Sequence, residues 1–451
     1  MPAGDLFAQS YAAEPSASWQ PVSPMLPRPL FAYQEAGLEG FTMRRHMLCA
    51  LHPGAGKTPM ALAAPITLTH SRVFIVVPPA LVGQWYDRAH SWGYPYPAIQ
   101  RLTTNEAARL FVPISQVTII ADSLLGSLRL HECDLLIVDE CHRFKVSVAN
   151  ADKAPSKRAL ALLGRDGLVA RAGKVLAMSG TPAPNGPVEL YPWLARLAPH
   201  IAPTWAAFTS RFCPPYERAM GAVRIKMFDR AINVQELNRE LRSSILFRPP
   251  REAVLAHLPL RRDDSFSVPA LVSTIPVDVA TAAFIDGGEA ADAPAISESR
   301  VRLGLEKARL ALPFLQTLVD GHDRPLIWCW HREVAEFVAS ALSVPVIHGG
   351  MPKEDRAAPA AEFVAGRHAA LVATIAASGT GLDGLQYGTD LAVFLEQSFV
   401  PGENEQAEAR LWRTGTPAPV RFLTVTSPDN LDIAMARALR AKARVLQELT
   451  Q

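Results

Sequence analysis

LHPGAGKTPM, residues 51–60, sets Gly54, Ala55 and Gly56 directly before a lysine and a threonine. Small residues in such a run let backbone N–H groups close on an anion. The Lys57 amine can then reach the outer oxygens of a polyphosphate, and the Thr58 hydroxyl can ligate magnesium. The apolar run HMLCAL (46–51) precedes the loop and a helix-like stretch follows, the strand–loop–helix order it needs. Two residues depart from the usual GxxxxGK[ST] pattern: Leu51 replaces the first glycine and Pro59 follows Thr58. Proline is tolerated in a first helical turn, where its missing N–H would be unpaired anyway. Pro65 is expected to end or kink the helix early. By itself the stretch fits either a nucleotide loop or a plain glycine turn.

A second stretch narrows the choice. LLIVDECH (135–142) sets Asp139 and Glu140 at the end of an apolar strand. Asp139 is expected to hold a magnesium ion. Glu140 is expected to orient and polarise a water attacking the γ-phosphate, which needs a carboxylate within one water of phosphorus. His142 reads either as an ordinary polar residue or as a coupler between lobes.

Apolar runs at 46–51, 72–79, 117–125, 134–140 and 174–182 have the length of parallel strands covered on both faces, with helical text between them. A second series follows at 325–331, 344–350, 369–379, 391–398 and 420–427. The expected fold is α/β, two lobes with parallel sheets. Residues 1–29 read as a Pro-rich arm, 30–190 as lobe one, 191–262 as a helical insertion, 263–300 as a linker and 301–451 as lobe two.

The 451 residues carry a formal net charge of +2, so no global basicity marks a nucleic-acid partner and any such contact must be local. Five scattered cysteines without a CxxC pair suit a reducing compartment. The chain lacks an apolar run of the ~20 residues that span a bilayer, and a secretion signal is not expected. Cytoplasmic placement in a bacterium or an infected host is the expectation.

The DECH box, with GAGKT upstream and SGTP (179–182) downstream, resembles superfamily-two helicases. LFAYQEAGLEGF (30–41) looks like their Q motif, which implies that Tyr33 and Gln34 read adenine. VVPPALVGQWYDRAHSWG (76–93) looks like motif Ia of Swi/Snf-type DNA translocases, and SGTPAPNGPVELYPWLARL (179–197) like motif III. GLEKARLALPFLQTLVDGHDRPLIWCWHREVAEFVASAL (304–342) is similar to the annealing-helicase branch of that family. TIAASGTGLDGLQ (374–386) resembles motif V, and EQAEARLWRTGT (405–416) resembles motif VI, QAxDRxHRxGQ in the family, with Ala409, Trp412 and Thr416 as departures.

The resemblance implies two RecA-like lobes with ATP and magnesium in the cleft between them, and DNA-stimulated hydrolysis driving translocation. It implies nucleotide contacts from Gly381, Asp383 and Gln406, and arginine fingers at Arg410 and Arg413. These two sit three apart on an expected helix and would share a face. Trp412 is expected to pack. Gln84, Ser123, His348, Ser378 and Gly379 are the phosphate contacts expected along a DNA that is duplex or branched and not read by sequence. The chain is expected to act as a monomer. A DECH-type RNA helicase, or a DNA-binding protein with a decayed ATPase, stands beside this reading.

Overall fold

The computed structural model describes residues 26–68, 72–95, 98–149, 154–220, 223–286, 294–378, 382 and 384–450. The expected arm at 1–29 therefore lies almost wholly outside the described residues. The chain forms two compact units, the first mainly residues 56–254 and the second mainly 255–444.

The first unit is organised by strands β1 (His46–Cys49), β2 (Val73–Val77), β3 (Ile99–Leu102), β4 (Val117–Ala121), β5 (Cys133–Val138) and β6 (Ala172–Met178). Runs such as VFIVV and VTIIA are buried along their whole length, which only a sheet covered on both faces allows. The order is β3-β4-β2-β5-β6-β1, with a further strand β9 (Leu246–Phe247) outside β1, and every pairing is parallel. Parallel strands end at one edge, so the segments after β1, β5 and β6 meet there. β6 lies between the other two, which sets the 51–60 loop and the DECH box a strand apart around it.

The stretch 191–262, expected as a helical insertion, is only partly that. It holds the helices Tyr191–Leu197, Trp205–Phe212 and Val234–Ser244. It also holds the antiparallel pair β7 (Tyr216–Met220) and β8 (Val223–Met227), and β9 (Leu246–Phe247). β9 completes the first sheet against β1. Two residues at the end of a strong helical pattern carry no strand periodicity of their own, so local reading merges them with the helix.

In the second unit β10 (Arg261–Ser267), β11 (Leu326–Cys329), β12 (Val346–Ile347), β13 (Leu371–Thr374), β14 (Leu391–Phe394) and β15 (Val420–Thr426) form a parallel sheet, in the order β10-β15-β14-β11-β13-β12. Apolar side chains cluster on both of its faces. The expected linker 263–300 is overturned: β10 pairs with β15 over its full length, and the helices Val277–Asp286 and Pro294–Asp320 follow. β10 reads RRDDSFS because it is an edge strand with mostly exposed side chains. Such a strand lacks the apolar run that reveals its neighbours.

Candidate nucleotide site of the first lobe

β1 delivers the chain into the loop as buried apolar backbone, with Ala50 and Leu51 fully covered. Leu51 thus fills core where the usual pattern has glycine. Gly54 and Gly56 both have left-handed backbone, φ +81° and +76°. The helix Lys57–Thr67 starts at the lysine, so its first N–H groups are free of intrahelical partners and turn toward the loop. Pro59 falls within that first turn, and Pro65 sits inside the helix two residues before its end at Thr67, where it removes one backbone hydrogen bond. The Lys57 amine donates to the Leu51 carbonyl at 3.3 Å, folded back over the loop.

Gln34 braces the same loop. Its side-chain amide donates to the Gly56 carbonyl at 3.1 Å, while its oxygen accepts from the Phe31 N–H at 2.9 Å. Tyr33 is buried, its phenol pushed up to about 12 by that burial, and its ring stacks on Phe31 with centroids 5.7 Å apart. Phe31 is only half-buried, so the accessible ring of this pair belongs to a residue that the sequence reading passed over.

Asp139 follows β5 and is 7% exposed. Its Oδ2 accepts from the Trp85 indole N–H at 3.1 Å and its Oδ1 from the Glu140 N–H at 3.0 Å. Burial, and then the neighbouring Glu140 carboxylate, push its carboxyl up to about 6, against the pull of Lys57 and of the two donors. A buried carboxylate whose charge is this costly, within reach of the Lys57 charge, fits a divalent cation. Glu140 itself has left-handed backbone, φ +50°, a conformation that costs a non-glycine residue of order 1–3 kcal/mol and is found where surrounding structure enforces it.

His142 couples this box to motif III. Its Nδ1 lies 3.2 Å from Glu140 Oε2 and 2.9 Å from Ser179 Oγ, and Ser179 in turn accepts from the Thr181 N–H at 3.1 Å. Arg143 pairs with buried Asp122 at 2.6 Å and Lys145 with Glu189 at 2.7 Å, so both cations after the box are held by the protein. Gln84 is half-buried on the helix Val82–Ser91, and Ser123 is exposed on the turn after β4. Trp85 and Ser179 were missed as site residues. Both are buried, and only the fold brings them to the box.

In the second lobe the helix expected under Arg410 and Arg413 stops short. It spans Pro401–Glu408, and both arginines lie beyond it in tight turns, the Arg410 N–H donating to the Ala407 carbonyl and the Arg413 N–H to the Leu411 carbonyl. Thr414, Gly415 and Pro417 follow within a few residues, a composition that favours turns over helix. The Arg410 guanidinium donates to the Leu382 carbonyl at 3.3 Å, and Arg413 is half-buried. Trp412 packs as expected: it is buried, donates to the Pro259 carbonyl at 2.9 Å and lies under the Arg261 guanidinium. Gln406 is half-buried on the helix, and Glu408 holds that helix to β10 through Arg261 at 2.6 Å. His348 is buried, its Nδ1 accepting from the Gly350 N–H and its Nε2 lying 3.5 Å from the Glu336 carboxylate. Ser378 closes the short helix Ile375–Ser378, while Gly379, Gly381 and Asp383 lie outside the described residues.

The family model for the res subunit of type III restriction enzymes matches residues 28–183, the span that holds the loop and the DECH box. The chain is 26% identical over 437 residues to the Xenopus tropicalis SWI/SNF-related matrix-associated actin-dependent regulator of chromatin subfamily A-like protein 1, covering 92% of this chain and 44% of that protein. It is also 26% identical over 450 residues to the Mus musculus DNA annealing helicase and endonuclease ZRANB3, covering 92% of this chain and 40% of that protein. Over most of its length the chain is thus similar to SWI/SNF-related proteins and to a DNA annealing helicase. It spans less than half the length of these two curated relatives. The Hef helicase domain of Pyrococcus furiosus shares the fold, with a TM-score of 0.51 at 15% identity over 91% of this chain and 98% of that one. Both curated relatives are vertebrate proteins, which lends no support to the bacterial or phage source expected from sequence. Among the described residues no helix is long and apolar enough to cross a membrane.

Proposed function

We propose that the chain binds ATP and magnesium on its first lobe and uses hydrolysis to move along duplex or branched DNA without obligatory strand separation. The observation that carries this reading is the meeting of a glycine loop, Lys57 and the Asp139–Glu140 pair at one edge of the first sheet. Gly54, Ala55 and Gly56 cradle the phosphates, Lys57 reaches the β and γ oxygens, and Phe31, Tyr33 and Gln34 flank the base. Asp139 and Thr58 hold magnesium, which when bound neutralises charge developing on the phosphates. Glu140 accepts the proton of the attacking water. Its link through His142 to Ser179 carries the state of the γ-phosphate into motif III.

The second lobe contributes Arg410 and Arg413 as the transition-state cations, with Gly381, Asp383 and Gln406 serving the nucleotide. Phosphate contacts to DNA come from Gln84 and Ser123 in lobe one and Ser378 and Gly379 in lobe two. The exposed Gly349 backbone stands in for its buried neighbour His348. With a net charge of only +2, such contacts bind locally and without reading sequence. Five free, buried thiols fit a reducing intracellular compartment, and the unit acts as a monomer.

The test is an ATPase assay with no polymer, duplex DNA, forked DNA, single-stranded DNA and RNA, run beside Lys57→Ala and Glu140→Gln. Duplex or forked DNA is expected to stimulate the wild type alone. Arg413→Ala should still bind ATP and lose ~10³-fold of the stimulated rate. Stimulation by RNA alone, or a wild type no faster than the two variants, contradicts the reading.

A further inference from the structure

A buried indole N–H needs an acceptor, and backbone carbonyls supply most. Trp193 follows that habit, donating to the Cys141 carbonyl at 3.0 Å. Trp85 does not. It is 2% exposed, and its N–H goes to Asp139 Oδ2, the carboxylate assigned to magnesium. With the Glu140 N–H on Oδ1, each carboxylate oxygen carries one fixed donor and keeps one lone pair. Two donors on opposite oxygens fix the plane of the carboxylate, and so the direction in which the remaining lone pairs point.

Trp85 sits on the ten-residue helix Val82–Ser91, which also carries Gln84 and Arg88, both only half-buried. That helix follows β2 after the short turn Pro79–Leu81, and β2 pairs directly with β5, the strand that leads into Asp139. One short helix thus joins Gln84, a proposed phosphate contact, to a grip on the metal carboxylate.

We propose that Trp85 is a positioning residue that orients Asp139, and that the helix Val82–Ser91 is the route by which bound DNA sets magnesium-dependent turnover. This rests on the ATPase reading above and names its regulation. Partners that orient metal ligands typically change metal affinity or activity 10- to 100-fold when removed.

The experiment compares Trp85→Phe with Tyr94→Phe, which deletes a buried hydroxyl bonded to the backbone carbonyl of Leu62 and not to a carboxylate of the site. Binding of a fluorescent ATP analogue is titrated with magnesium in a Glu140→Gln background, where no turnover intervenes. The rate ratio with and without duplex DNA is measured in the otherwise native background. Trp85→Phe is expected to raise the magnesium midpoint about tenfold and to reduce the DNA stimulation ratio, with duplex binding unchanged. Tyr94→Phe should change neither. An unchanged magnesium midpoint, an unchanged stimulation ratio, or a change matched by Tyr94→Phe overturns the proposal. If Trp85→Phe does not fold, benzothienylalanine at position 85 keeps the bicyclic ring without the N–H, and the same outcomes decide. A wild type with no Lys57-dependent hydrolysis overturns the ATPase reading and this inference together. A wild type that turns over beside a normal Trp85→Phe overturns this inference alone.

Discussion

Gly56 is held from two sides. Its left-handed φ of +76° disfavours any side chain, and a Cβ there would sit 2.3 Å from the Gln34 amide nitrogen that donates to its own carbonyl. Gly56→Ala therefore strains the backbone by about 1–2 kcal/mol and also displaces the Gln34 brace. Affinity for a fluorescent ATP analogue should fall about tenfold or more, and Gln34→Ala should reproduce only part of that loss. Equal affinity in Gly56→Ala and wild type would remove the loop from the nucleotide site. The glycines, Lys57 and the carboxylate pair were legible in sequence because phosphate chemistry demands those residue types in that order. The Gln34 brace was not, because it joins residues 22 apart through a contact that no local pattern encodes. Trp85 was invisible for the same reason: an indole in an amphipathic helix reads as core until its acceptor is known.

At the scale of the element, β1 illustrates what burial does to a strand that opens on a titratable group. His46 pairs in register with Val175, and its Nδ1 is buried without a hydrogen-bond partner among the described residues. Burial, then nearby Arg45 and Lys174, pull its imidazole from 6.5 down to about 4. The folded value is the lower one, so the stability gained by keeping the ring neutral is fully present above pH 6.5 and is lost as pH falls toward 4. The melting temperature should therefore drop more steeply across that window in the wild type than in His46→Gln. Parallel slopes would show that the ring does not resist protonation. Strands such as β2 and β4 were legible because both faces are buried and every residue but Thr118 is apolar. β10 and β9 were not, the first because an exposed edge takes polar residues, the second because two residues carry no period. The helix under motif VI was expected too long, since the spacing of Arg410 and Arg413 fits a helical face as well as it fits consecutive turns.

For the whole molecule, the order of the motifs along the chain carried the fold class and the two-lobe plan, since the glycine loop and the DECH box must each follow a strand. Lobe boundaries were less legible, because the first sheet takes its last strand from residues beyond 190 and the second takes its first from before 301. The central claim is that hydrolysis moves the protein along duplex DNA, and its most direct measurement is displacement of a third strand from a DNA triplex. The wild type with ATP and magnesium should strip the third strand while leaving the duplex paired, and Lys57→Ala should not. Displacement no faster in the wild type than in Lys57→Ala would contradict translocation.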